Sequence, residues 1–142
     1  MPAKQEMKTL YHCVFNLHLH LVLVTKYRRR CIDAAILARL QAIFATLAER
    51  WGCELLEFNG EPDHVHLLLS VNPKVAPSVL VNNFKTVSSR LIRKEFATQV
   101  RRIYRKPVFW SRSYCIVSCG GAPLSVLKQY VQGQAGVESD EH

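Results

Sequence analysis

From Tyr11 to Val24 the chain alternates: Tyr11, Cys13, Phe15, Leu17, Leu19, Leu21 and Leu23 take one set of positions, and His12, Asn16, His18 and His20 the other, with Val22 and Val24 beyond them. Side chains at i and i+2 share a face only in an extended strand. Period two over this length therefore predicts a long strand with one apolar face, which has to be buried against another layer. Any fold for this chain must supply that layer and partner strands on the flanks.

The rest of the chain supplies both. Asp33 is placed to cap a helix running to about Trp51, with Gly52 as the stop. Ile36, Leu37, Leu40, Ile43, Phe44, Leu47 and Trp51 recur at helical spacing and form its buried stripe. Cys53–Phe58 reads as a second strand, residues 59–63 (NGEPD) as a turn, and His64–Val71 as a third strand whose Val65, Leu67, Leu69 and Val71 face the core. Pro77 opens a second helix anchored by Leu80, Phe84, Val87 and Leu91. A basic connector, Arg101–Arg112, leads to a fourth strand at about Tyr114–Ser118. Gly120 and Gly121 form a hinge before a last helix from Pro123 through about Gln134. The order is βαββαβ plus a helix. That is the α+β, ferredoxin-like split βαβ: a four-stranded antiparallel sheet with two helices on one face. The 142 residues fit a single domain, with a core at about 11–134 and a polar, frayed tail at 135–142.

Composition narrows the function classes. A hydrophobic fraction of 49% excludes a disordered chain. The net charge is +8, with basic residues gathered at Lys26–Arg30 and between Lys85 and Arg112. Such a surface attracts polyanions. No stretch approaches the ~20 apolar residues of a membrane span, so nucleic acid is the expected partner rather than a membrane. The five cysteines are odd in number and form no C-x-x-C pair, which reads as buried, reduced thiols in a cytoplasmic protein. The first residues carry no apolar core of a secretion signal.

Two places could carry chemistry. His64 and His66 are i and i+2 on the third strand, so both imidazoles project from one face and could hold one divalent metal, with coordination positions left open. Equally, they could be two surface histidines on a half-buried strand, and His18 and His20 repeat the same spacing. The first and third strands are neighbours in the predicted order, which puts both pairs on the face the helices leave open. His18 and His20 would there support the metal ligands or touch DNA, or simply form a polar stripe. Tyr130 and Gln134 are i and i+4 on the last helix and share a face. A tyrosine there is ordinarily packing; a phenol with a pKa near 10 can also attack phosphorus where a metal and cations stabilise the developing charge.

The segments HLHLVLVTKYRR, GEPDHVHLLLSV, NNFKTVSSRLIRKEF, FWSRSYCIVSCGGAP and LKQYVQGQ, in that order, resemble the HUH-type single-tyrosine transposases of bacterial and archaeal insertion sequences. The likeness spans about residues 11–134. It implies that His64 and His66 bind a Mg²⁺ or Mn²⁺ ion, that Gln134 is the third ligand and that Tyr130 is the nucleophile. It further implies a 5′-phosphotyrosine intermediate, single-stranded or hairpin DNA at element ends as substrate, and a homodimer whose active sites combine residues of both subunits. The chain departs from a good helix at Gly133, which costs about 1 kcal/mol between Tyr130 and Gln134.

The cations fit a DNA substrate. Lys26, Arg28 and Arg29 leave the first strand in a basic loop. Lys85, Arg90, Arg93 and Lys94 are expected on one face of the second helix, and Arg105 belongs to a cluster with Arg101, Arg102 and Lys106 around Tyr104. Arginines beside an aromatic suit phosphates and exposed bases together. Two other readings stand beside the transposase. One is a non-catalytic nucleic-acid-binding module of the same fold, although the open face offers histidines where such modules carry stacking aromatics. The other is a domesticated relative acting on host repeats.

Overall fold

In the computed structural model the alternating segment resolves into two elements rather than one. Residues 8–10 and 13–118 are described. Tyr11 and His12 lie outside them, as do all residues from Cys119 onward, including the expected glycine hinge, Tyr130 and Gln134. Two short strands, β1 (Lys8–Leu10) and β2 (Cys13–Phe15), pair with each other. Past Asn16 the long strand β3 (Leu17–Thr25) begins. Leu17, expected on the buried face, is exposed, so the apolar face begins at Leu19.

Helix α1 (Ala34–Arg50) follows, with the Asp33 carboxylate accepting the Ile36 amide at 2.9 Å as predicted for its cap. Then come β4 (Glu54–Glu61), β5 (His64–Val71), α2 (Pro77–Glu95), the short α3 (Ala97–Arg101) and β6 (Trp110–Ser118). The sheet order is β4-β5-β3-β6, antiparallel throughout, which is the ferredoxin-like arrangement. β3 is central and not an edge of the sheet.

One core lies between the sheet and the helices. Leu19, Leu21 and Leu23 of β3 and Val65, Leu67 and Leu69 of β5 meet Ile36, Leu40, Phe44 and Leu47 of α1 and Leu80, Phe84 and Ile92 of α2. Phe44 and Phe84 stack with centroids 5.3 Å apart at the helix–helix contact. On α2 the buried stripe runs through Val81, Phe84, Ser88 and Ile92, and Val87 and Leu91 are only partly buried. Ser88 is accommodated because its hydroxyl donates to the Phe84 carbonyl (2.6 Å) and accepts from Trp110 Nε1 (2.8 Å). That contact belongs to a strand starting at Trp110, four residues earlier than the sequence pattern indicates.

The expected turn at residues 59–63 is shorter than predicted, because β4 continues through Asn59 and Gly60. A Cβ on Gly60 would lie 2.4 Å from Leu37 Cδ1 and 3.1 Å from Val65 Cγ1. The glycine permits close helix–sheet approach and does not mark a turn. A bulge at Leu56 then sets Glu57, Asn59 and Glu61 on the open face.

Cys31, Cys53 and Cys115 are buried free thiols, and burial raises the pKa of each, Cys31 to about 11. No helix among the described residues is long and apolar enough to cross a membrane.

Gly60→Val should lower the unfolding free energy by about 1–3 kcal/mol through overpacking. Gly60→Ala should cost less, since the Leu37 tip can turn aside. Urea denaturation measures both; equal stability of wild type and Gly60→Val would remove the close-approach explanation.

Candidate active site

Register decides which side chains reach the open face. β3 and β5 pair from Leu17↔Val71 to Val24↔His64, with Val22 opposite His66 and His20 opposite Leu68. Since Leu19, Leu21 and Leu23 point to the helices, His18, His20, Val22 and Val24 point away, and His64, His66, Leu68 and Ser70 do likewise. Val22, Val24 and Cys115 form a second, small apolar cluster there. All four strand histidines therefore share one face.

His64 and His66 come together. Both are buried, and their rings stand perpendicular with centroids 4.8 Å apart. His64 Nδ1 lies 2.7 Å from Asp63 Oδ1. A carboxylate oxygen only accepts, so Nδ1 carries the proton and, in the neutral ring, Nε2 keeps its lone pair. His64 Nε2 is buried with no hydrogen-bond partner among the described residues. A buried lone pair, with the ring aimed by a carboxylate on its far nitrogen, is the arrangement of a metal-binding histidine. The pair thus fits a divalent ion. Among the described residues no three His, Cys, Asp or Glu side chains gather to hold one, so further ligands must be of another kind or come from elsewhere.

Asp63 is itself fixed. Arg28 Nε and Nη2 donate to its Oδ2 at 3.1 and 2.8 Å. Burial would raise the Asp63 carboxyl, but the hydrogen bonds from His64 and Arg28 outweigh it and hold the group below its ordinary value. Arg28 reaches Asp63 from a turn, Lys26–Arg28, in which Tyr27 (φ 56°) and Arg28 (φ 52°) both adopt left-handed backbone. Neither is glycine, so each costs on the order of 1–3 kcal/mol unless surrounding contacts fix it. Those contacts exist. The Thr25 and Ile32 amides donate to the carbonyls of Asp63 and Pro62, the Lys26 amide to that of Phe109, and the Tyr104 hydroxyl to that of Lys26 at 2.5 Å. Arg28, one of the cations expected to contact DNA, braces Asp63. Asp63 had no role in the sequence reading beyond preceding the histidine pair; its place directly before H-x-H was the available signal.

His18 and His20 do not join the pair. His20 is one diagonal step from His66, and His18 sits opposite Ser70, a further step away. Burial, with a smaller push from His18 and against the opposing pull of Glu57, lowers the His20 pKa.

The basic residues divide into groups. Lys85 and Lys94 are nine residues apart on α2, about half a turn out of phase at roughly 100° per residue, so the four helix cations do not form one narrow face. Lys85 turns to β6, donating to the Arg112 carbonyl at 3.1 Å with Tyr114 beneath it. Arg90 and Lys94 are exposed. Arg93 lines a cleft of about 210 Å³ with Arg101, Arg105 and Lys106. Lys26, Arg29 and Arg105 border a second cavity near the strained turn. Tyr104, expected among the arginines as a stacking surface, is buried, with its phenol raised far above its usual pKa by burial and by Cys31.

Comparison with known proteins bears on what this face does. Residues 13–134 match the family described as "Transposase IS200 like". The ISDra2 transposase TnpA of Deinococcus radiodurans is 29% identical over 129 residues, covering 91% of each chain. The transposase for insertion sequence element IS200 of Salmonella typhimurium is 29% identical over 127 residues, 89% of this chain and 82% of that one. A solved Deinococcus radiodurans structure described as a transposase superposes with a TM-score of 0.82 at 28% identity, covering 90% of this chain and 98% of that one. A REP-associated tyrosine transposase bound to a REP hairpin shares the fold alone, with a TM-score of 0.51 at 11% identity over 82% of this chain and 61% of that one.

The His64 geometry predicts its tautomer. Long-range ¹⁵N–¹H spectra should show neutral His64 with its proton on Nδ1, and Asp63→Ala should move population to the Nε2–H form. An Nε2–H ring in the wild type would sink the assignment of Nε2 as the ligand atom.

Proposed function

This chain belongs to the IS200-like transposase family, and we propose that it cuts and rejoins single-stranded DNA at insertion-sequence ends through a covalent phosphotyrosine at Tyr130, with a divalent ion held by His64, His66 and Gln134. The observation that carries the metal assignment is the buried lone pair of His64 Nε2 beside the perpendicular His66 ring. Tyr130 and Gln134 lie outside the described residues, and their roles rest on the resemblance of the segment LKQYVQGQ.

The chemistry divides among the chain's groups. A bound Mg²⁺ or Mn²⁺ would polarise the scissile phosphate and neutralise charge as it develops. His64 and His66 supply neutral nitrogen ligands, and the Asp63–Arg28 brace keeps the His64 ring from turning. The Tyr130 oxygen attacks phosphorus, a tyrosine–phosphorus bond forms, and the bond to the 3′ oxygen breaks. The 3′ oxygen takes up a proton and leaves as a hydroxyl, and the phenol gives up its own. In the rejoining step a 3′-OH attacks a second such phosphotyrosine and the phenol is released. Because bond count and charge are conserved in each exchange, no external energy source is required. Positioning and electrostatic stabilisation carry the rate.

A purely binding module is the weaker reading. On the open face of β3 and β5 the residues are His18, His20, Val22, Val24, His64, His66, Leu68 and Ser70, with no aromatic for base stacking. The protein is further proposed to act as a homodimer in which Tyr130 of one subunit serves the histidine pair of the other.

Tyr130→Phe should abolish the covalent adduct with labelled single-stranded element ends in Mn²⁺ while leaving hairpin affinity nearly unchanged, because affinity resides in the basic surface. His64→Ala or His66→Ala should weaken Mn²⁺ binding, measured directly by electron paramagnetic resonance, more than changes at His18 or His20. A covalent 5′ link in Tyr130→Phe would remove that residue from its role, and equal Mn²⁺ loss at His18 or His20 would show the wrong histidines had been chosen.

Sharing between subunits predicts complementation: His64→Ala mixed with Tyr130→Phe should recover cleavage in the heterodimer. A mixture that exchanges subunits yet stays inactive would place both groups of a site in one chain. Sedimentation as a monomer at micromolar concentration would exclude the dimer altogether.

A further inference from the structure

The strained turn has a second consequence on its other side. Between it and the segment after α3 lies a cavity of about 340 Å³. Tyr27 and Ile103 both border it, and they are two of the four large apolar side chains exposed among the described residues. The floor is Tyr104, locked by the hydrogen bond from its hydroxyl to the Lys26 carbonyl and by edge-on packing against Phe109. The rim carries Lys26, Arg29, Arg105 and Lys106.

We propose that this cavity receives one unstacked nucleobase of the single-stranded DNA on which the enzyme acts, with the flanking phosphates on its cationic rim. The proposal rests on the reading of the chain as a single-strand transposase and adds to it a site for a particular part of the substrate. Three observations converge. An apolar slot ringed by four cations matches a ligand with a flat hydrophobic body and anionic flanks, which a base between two phosphates is. The volume falls at the low end of the roughly 300–1,000 Å³ usual for small-molecule pockets, enough for a base and its sugar and too little for a duplex. Finally, the chain holds a tyrosine at φ 56°, where glycine would be free of strain, and the Lys26 ammonium lies 5.2 Å from the centre of that ring. A ring kept at such a position and left at the surface has a use there.

The location ties the pocket to the metal pair. Tyr27 borders the cavity, and the next residue, Arg28, braces Asp63 and through it His64. The turn thus links the cavity wall to the histidine pair through consecutive residues.

The test compares an oligonucleotide of eight thymidines with an abasic phosphodiester of equal length, by fluorescence anisotropy at one salt concentration. Wild type should bind the thymidine strand about tenfold tighter, the scale expected for one stacked base. Ile103→Ser and Tyr27→Gly should each lose most of that preference while binding the abasic strand as wild type does. Glycine suits the left-handed backbone, so Tyr27→Gly tests the ring without unfolding the turn; thermal melts confirm both variants. Arg105→Gln should weaken both strands equally. Equal wild-type affinity for the two strands, or a preference kept in both variants, would overturn the pocket and leave the transposase reading intact. Failure of wild type to bind either strand would also overturn the pocket; failure to bind a hairpin-bearing element end as well would overturn the single-strand reading itself.

Discussion

The ladder between β3 and β5 fixes almost everything else. Its rungs run from Leu17↔Val71 to Val24↔His64, and each rung assigns one side chain from each strand to the core or to the open face. In this register Leu21 and Leu23 meet Leu67 and Val65 under the helices, while His64 and His66 pass to the other side with Val24 and Val22 opposite them. A slip of one residue in β5 would carry both imidazoles into a core of leucines and phenylalanines, and Val65 and Leu67 out of it. The hydrophobic core thus specifies the site as strongly as any polar contact does. Moving Val65, Leu67 and two imidazoles to the wrong faces costs more than any single hydrogen bond at the site can return.

A strand can aim an imidazole outward, but it cannot choose which nitrogen faces the ligand. That choice is made at the end of the ladder, where β5 begins. Asp63 accepts a hydrogen bond from His64 Nδ1–H, Arg28 holds Asp63, and the turn bearing Arg28 is held against the 62–63 turn and the 104–109 connector by backbone hydrogen bonds. Two consecutive left-handed residues are tolerated there because the contacts come from several elements at once. The strained turn is thus joined to a fixed side-chain orientation at the start of β5.

The sequence shows what is local and hides what is not. Period two in β5 and in β3 from Leu19 onward, the Asp33 cap and the α1 stripe are written in nearby residues and appear in the structure; the break at Asn16 and the exposure of Leu17 are not written there. H-x-H is legible for the same reason, since spacing alone puts both rings on one face. The misreadings share a different cause. Asn59-Gly60 has the composition of a turn, but Leu37 of a helix more than twenty residues earlier occupies the space a side chain would need. Arg28 reads as one more cation in a basic loop, because its partner is 35 residues away. Tyr104 reads as an aromatic among arginines, yet its hydroxyl closes on the Lys26 carbonyl, 78 residues back in the chain. Charge density marks a surface; it does not say which cations are already engaged within the fold.

That distinction matters for how a basic protein meets DNA. A cation already paired inside the fold contributes little to counterion release, and one left at the rim contributes nearly its full share. Arg28 is of the first kind, and Lys85, bridging to the Arg112 carbonyl, leans toward it. Arg29, Arg90, Lys94 and Arg105 are exposed and of the second. Sorting the cations this way separates a surface suited to attracting a polyanion from the groups engaged within the fold. The two tasks have opposite requirements. Attraction tolerates mobile, solvated charges at many positions, whereas in-line attack on phosphorus needs a ligand ring fixed to within a fraction of an ångström. In this fold a half-buried carboxylate and a strained turn fix the His64 ring, while exposed arginines and lysines are left unconstrained by the core.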